Sequence, residues 1–298
     1  MATTTETVTL PYVQAPETSA DLDWADLATL DLSKFDQPGF FYVSNHGLTP
    51  TEIDTQFALA HSVLSLPDSS KAPYRAALEQ GDYNGWKPAG TRNLIPGVKD
   101  NFEIYNIPKF IPSHAGRPHP DVVRQHWGTI RAFSERVHEQ IVKKLLVVFA
   151  VVLGLEDEEW FLKRHRYEEN SGDHLRYMKY HARSDEENQK LGGVWLKGIH
   201  RVVAPPKDQA HINRLGVLYM VRIEDETDLV PIEESPVLQE RGLLGEKILG
   251  SDGKPVKAGE WVKNRVIKNL GESRDKEGGD NEVSDIEIVK GVKVKYFD

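Results

Sequence analysis

Residues 191–222, LGGVWLKGIHRVVAPPKDQAHINRLGVLYMVR, constrain this chain more than any other stretch. The segment 214–222 alternates in a way that suits a strand, and on a strand Arg214, Gly216 and Leu218 share one face. An arginine fixed there can hold a planar carboxylate through its guanidinium fork. His200 lies a short distance upstream as a candidate metal ligand, but one imidazole does not hold a metal by itself. A search for His-x-Asp or His-x-Glu finds His119-Pro120-Asp121, which reads instead as a helix start with proline at the first helical position and aspartate in the first turn. His165, His174, His181 and His211 lack metal-ligand spacing. The segment reads as half of a site.

Periodicity organises the remainder. Thr49-Pro50-Thr51-Glu52 forms a capping box, and Ile53, Phe57, Ala60 and Leu64 then recur at helical spacing, predicting a helix over about 50–66. Residues 67–99 are rich in turn formers and predict a loop-rich connection. A long helix follows over about 121–153, with Trp127, Ile130, Val137, Ile141, Leu145 and Val152 as its apolar stripe and Gly154 as its stop. Strands are predicted at 101–107, 173–181, 200–205, 214–222 and 286–296, the last from the alternation of Ile286, Ile288, Val292, Val294 and Tyr296. Residues 258–270 read as a short amphipathic helix, and 271–285 as a flexible charged loop.

Composition narrows the partners. A chain of 298 residues with 39% hydrophobic content can bury a substantial core. Thirty-seven basic against 46 acidic residues give a net charge of −9, which argues against nucleic acid or an anionic membrane as partner. The absence of cysteine excludes disulfides, thiolate metal sites and cysteine nucleophiles. The first residues lack the basic and apolar regions of a signal peptide, and the apolar run 145–155 is shorter than the ~20 residues of a spanning helix. A cytoplasmic protein acting on a small molecule is the expectation.

Five segments carry a family resemblance: GFFYVSNHGL at 39–48, DNFEIYNIP at 100–108, DHLRYMKYHARS at 173–184, His200-Arg201-Val202 with Arg214-Leu215-Gly216, and the terminal IVKGVKVKYFD. Together they resemble the 2-oxoglutarate/Fe(II)-dependent oxygenases of the isopenicillin N synthase-like group, in wording closest to fungal members. The resemblance implies a double-stranded β-helix, or jelly roll, that uses Fe(II) and 2-oxoglutarate to oxidise, hydroxylate or desaturate a small organic molecule of secondary metabolism. It implies His200 as the third iron ligand, Arg214 as partner of the far carboxylate of 2-oxoglutarate, and Gly216 where the family has serine or another small residue. Tyr180 and Arg176 fall where the co-substrate pocket is framed. Tyr83, Trp86 and Asn101 fall near the mouth of the substrate pocket.

Two places depart from the family pattern. The His-x-Asp pair and about five barrel strands of roughly 5–6 residues each should lie between Leu196 and His200, and an amphipathic helix should separate DLSKFDQPG from FFYVSNHG. The expected fold is therefore α+β, an incomplete jelly-roll remnant packed on helices. Its expected regions are an N-terminal dioxygenase-like part at 1–110, a long helix with a truncated core at 111–222, and a C-terminal extension at 223–298. Such a chain is expected to be catalytically impaired. The alternatives are a non-catalytic partner of an intact homologue, pairing through an exposed sheet edge as a homo- or hetero-oligomer, and the product of a mis-spliced gene.

Overall fold

The computed structural model describes residues 12–22, 41–91, 93–95, 97–191, 205–271, 283–289 and 292–297. His200, the strand expected at 200–205 apart from its last residue, and both departures from the family pattern lie outside them. The helices are α1 (Pro50–Leu64), α2 (Asp68–Lys71), α3 (Asp121–Gln125), α4 (Trp127–Val137), α5 (Lys143–Val152), α6 (Asp185–Leu191), α7 (Pro236–Glu240) and α8 (Ala258–Gly271). The strands are β1 (Gly85–Lys87), β2 (Asn93–Ile95), β3 (Val98–Lys99), β4 (Phe102–Pro108), β5 (His174–Tyr180), β6 (Arg214–Met220), β7 (Val283–Val289) and β8 (Val292–Phe297).

A four-stranded antiparallel sheet in the order β1-β4-β5-β6 positions everything else. β4 and β5 pair in unbroken register from Phe102↔Tyr180 to Pro108↔His174, and β5 pairs with β6 from His174↔Met220 to Tyr180↔Arg214. Side chains alternate across such a ladder, so Tyr105, Ile107, Leu175, Tyr177, Leu215, Val217 and Tyr219 share one face. That face packs on α1 and α4 around Leu59, Ala60, Val63, Ile130 and Phe133. α1 starts at the expected capping box, where the Thr49 side chain and Glu52 satisfy each other's backbone donors.

Buried ion pairs tie the sheet to its surroundings. Glu103 in β4 pairs with Lys71 of α2, accepts the Trp86 indole N–H at 2.7 Å, and lies 3.2 Å from His181 Nε2. Lys87 in β1 pairs with Asp100 at 2.7 Å. Their burial makes both pairs costly to break singly, because one charge would be left without its partner.

The long helix differs from the sequence expectation in one informative respect. It is interrupted at His126 and carries a π-helical turn at His138–Val142. A π-turn inserts one residue into the helical repeat, so the fully buried positions after Val137 become Val142, Leu146 and Ala150, while Ile141 packs on the core only partly buried and Leu145 and Val152 are half-buried. The helix stops as expected at Gly154, which has φ +67° and where a Cβ would lie 2.9 Å from Pro236. The C-terminal segment also differs: it is two antiparallel paired strands, β7 and β8, not one strand, and Lys290 and Gly291 between them lie outside the described residues. Helix α8 confirms the amphipathic stretch at 258–270.

Leu146→Ala is expected to lower stability by about 2–4 kcal/mol, as for other buried leucines. Leu145→Ala should cost less than half as much. Urea unfolding of both variants distinguishes a π-shifted face from a regular one, since equal losses or a reversed order would contradict the shift.

Candidate functional site

Among the described residues, the core helices α1 and α4 lie against the first face of the sheet and not the second. Alternation places Asn106, His174, Arg176, Met178, Tyr180, Arg214, Gly216, Leu218 and Met220 there. The β4 part is covered, with Ile104 and Asn106 buried, whereas the β5–β6 part is partly open and Leu218 is 38% exposed. Among the described residues β6 is also an edge strand, joined to β5 alone.

One end of this face carries the residues expected for the co-substrate. The ladder sets Arg214 opposite Tyr180, and the guanidinium carbon lies 4.5 Å from the phenol ring centre. Gly216 sits opposite Met178, and a Cβ there would be 3.3 Å from Leu218 Cδ1, so this position is already crowded by its neighbour. Arg214 is exposed.

The other end holds a buried polar group. Tyr83 donates its hydroxyl to Gly172 O at 2.6 Å, and its carbonyl accepts from Asn106 Nδ2 at 2.6 Å. Asn106 Oδ1 accepts from Arg176 Nε at 2.9 Å. His174 Nδ1 lies 2.8 Å from Gly172 O, which requires a proton on Nδ1 and leaves Nε2 to accept from Arg176 Nη2 at 3.2 Å. Burial, assisted by the Arg176 charge, lowers the His174 pKa to about 3, and burial raises that of Tyr83 to about 12. His174 is thus a neutral acceptor at physiological pH.

Of the three expected substrate residues, Tyr83 alone joins this face, at the end remote from Arg214. Tyr180 and His174 are six positions apart along β5, about 20 Å along the strand. Trp86 projects to the opposite face, buried in the core with its indole on Glu103. Asn101 closes the mouth of the β4–β5 pair, donating to His181 O at 2.6 Å and accepting from Arg183 at 3.0 Å. Asn106, His174 and Arg222 are additional members of the face that sequence reasoning did not select.

Among the described residues, no three of histidine, aspartate or glutamate are placed to hold a metal ion. The described residues therefore do not supply the two-histidine, one-carboxylate set that non-haem iron requires. His119 is accounted for structurally. It is buried, pairs through Nδ1 with the Tyr105 hydroxyl at 2.7 Å, and precedes α3, whose first residue is Asp121 with Pro120 as the cap.

Comparison with known proteins agrees with this architecture. Residues 32–129 match the family model described as the N-terminal part of the non-haem dioxygenase in morphine synthesis. The fold matches that of full-length Neurospora crassa T7H in complex with alpha-KG, with a TM-score of 0.61 at 17% identity over 79% of this chain and 88% of that one. A Caulobacter crescentus protein assigned to the 2OG-Fe(II) oxygenase family matches with a TM-score of 0.53 at 14% identity, over 74% of this chain and 87% of that one. No curated protein matches in sequence. The chain therefore shares the fold of these solved structures, and about a third of it matches the N-terminal model of a non-haem dioxygenase. No helix among the described residues is long and apolar enough to cross a membrane.

Burial sets the response to acid. His119 and His138 have pKa values lowered to about 4 and His174 to about 3, from an ordinary 6.5, in each case chiefly by desolvation. The unfolded chain takes up these protons as pH falls below about 6.5, whereas the folded chain resists until about 4, so stability is lost across that window. Asp173 opposes the trend. Burial raises its pKa to about 6 from 3.8, so the folded chain holds its proton first and gains stability as pH falls through that range. Three histidines outweigh one carboxyl: urea midpoints should decline from pH 6.5 to 4, and Asp173→Asn should steepen the decline. A flat profile would show that the histidines are not buried as neutral groups.

Proposed function

We propose that this chain is built on the plan of the 2-oxoglutarate- and Fe(II)-dependent oxygenases, of fungal isopenicillin N synthase-like type, and that its own catalysis is impaired. The observation that carries this reading is the open β5–β6 face, which presents Arg214 over Tyr180 without a metal-holding set among the described residues. The oxygenase fold, the N-terminal family match and the alpha-KG complex of the fungal T7H support 2-oxoglutarate as the ligand of that face. Bound iron supplies such enzymes with the oxidising centre for hydroxylation or desaturation of a small organic molecule. His200 alone would not retain Fe(II), since one imidazole lacks the chelation that metal affinity needs.

The role left to this chain's residues is recognition. Arg214 offers two parallel N–H donors to one carboxylate of a dicarboxylate, and Tyr180 fixes the plane of the guanidinium from below. Gly216 contributes no hydroxyl at the position where the family uses a small polar side chain, so the ligand is held by fewer contacts.

Purified chain supplied with Fe(II), ascorbate and 2-oxoglutarate is expected to release no succinate above a protein-free control, while 2-oxoglutarate raises the melting temperature and Arg214→Gln abolishes that rise. Stoichiometric succinate release would falsify the impairment. Absence of any 2-oxoglutarate effect would remove the recognition role.

The β6 edge, with Leu218 and Val221 each 38% exposed, favours a second reading as the pairing subunit of an intact homologue. Sedimentation equilibrium tests it: self-association or complex formation is expected, and a strict monomer that ignores the homologue would exclude it.

A further inference from the structure

Residues 12–22 carry no helix or strand, yet they are fastened to the rest of the chain at two anchors. Tyr12 forms the first. Its ring stacks on Phe57 with centroids 6.2 Å apart and meets the His61 ring at 5.5 Å, both on α1. Asp208 forms the second, 190 positions along the chain from Thr18. Thr18 Oγ1 donates to the Asp208 carboxylate, 2.8 Å from each oxygen, and Ser19 adds its backbone N–H at 2.7 Å and its hydroxyl at 3.2 Å. The neighbouring Gln209 donates its side-chain amide to Pro16 O at 2.8 Å. These donors hold the Asp208 carboxyl below its ordinary pKa, the Ser19 N–H most of all.

Asp208 stands in a turn that leads directly into β6. Gln209 N donates to Pro206 O at 2.9 Å, Ile212 N donates to Gln209 O at 2.9 Å, and Asn213 Oδ1 accepts from Ala182 N at 2.8 Å. Arg214, opposite Tyr180, is the next residue. Hydrogen bonds and adjacent residues thus connect residues 16–19 with the Arg214 end of the sheet. The helix that carries the first anchor, α1, itself packs on β6, so the segment ties that helix to the turn that feeds the strand. Its hold is weak by construction. The bonds at Asp208 are exposed, where water competes for the same groups, and the entropy of ordering the segment opposes them.

We infer that residues 12–22 are a releasable strap, and that Asp208 is the positioning residue it grips to keep the 206–213 turn and the Arg214 end of β6 in order. Attached, the strap gives the turn an outer support; released, it leaves the start of β6 held by the Asn213–Ala182 bond and the β5 ladder alone. A ligand that needs the ordered turn then binds more weakly in proportion to the fraction of chains whose strap is attached. The consequence for a ligand rests on the reading of Arg214 as a carboxylate partner, whereas the strap itself does not.

Hydrogen exchange of the full chain, read by mass spectrometry, tests the strap. Asp208→Ala is expected to speed exchange in 12–22 and in 205–216 on the order of tenfold and to leave the β4–β5 ladder unchanged, which also reports that the variant is folded. Asp208→Asn, which keeps an acceptor oxygen, should fall between wild type and Asp208→Ala. Thr18→Ala combined with Ser19→Ala should act in the same direction but less, since the Ser19 N–H remains. Adding Asp208→Ala to that pair should give no more than Asp208→Ala alone, because both sides belong to one interaction. In calorimetric titration with 2-oxoglutarate, Asp208→Ala should weaken binding on the order of fivefold. The strap is overturned if Asp208→Ala leaves either segment exchanging as in wild type, or if the effects of the two sides simply add. Exchange that rises with 2-oxoglutarate affinity unchanged overturns the control of the Arg214 end. Wild type that binds no 2-oxoglutarate refutes the recognition reading instead, and the exchange of 12–22 and 205–216 then decides the strap by itself.

Discussion

The β4-β5-β6 ladder is the constraint on which the rest of this structure depends. Seven consecutive pairs on each side of β5 fix a strict alternation, so one set of residues must enter the helix-covered core and the other must leave it. Tyr105, Leu175, Tyr177 and Val217 take the first role; Arg176, Tyr180, Arg214 and Gly216 take the second. A slip of one residue would exchange the two sets and bury the arginines among α1 and α4. The apolar core therefore enforces the polar face: the burial that holds α1 on the sheet also keeps the guanidinium groups on the other side.

Much of this was legible in the sequence. The Thr49 capping box, the Gly154 stop and the alternation of 173–181 and 214–222 identify their elements because each is a local pattern with a local physical cause. The π-turn was not legible, because a stripe counted in steps of three and four has no place for a step of five. The pairing of β7 with β8 was hidden for a related reason: Lys290-Gly291 interrupts an alternation that otherwise runs through both strands.

The functional residues divide in the same way. Arg214 and Tyr180 were singled out only by resemblance, and their pairing was not legible, since it joins positions 34 residues apart. Trp86 was placed near the substrate-pocket mouth by resemblance, but its indole N–H meets Glu103, and the pairing of β1 with β4 turns it inward. Asn106, His174 and Arg222 left no motif. Their signal is positional: each lies on the non-core side of a strand or its extension, and a polar side chain there has to find its partner across the sheet rather than along the chain.

The π-turn also governs how this helix tolerates change. The extra residue at His138–Val142 separates the rotational setting of α5 from that of α4, so the two halves meet the core as independently oriented surfaces. Losing one residue from the turn would turn α5 by about 100° relative to α4, sending Leu146 and Ala150 away from the core and drawing new residues into their place. The helix thus stores a rotational adjustment in its own backbone, and its length at that point acts as a setting that side-chain repacking alone cannot reproduce.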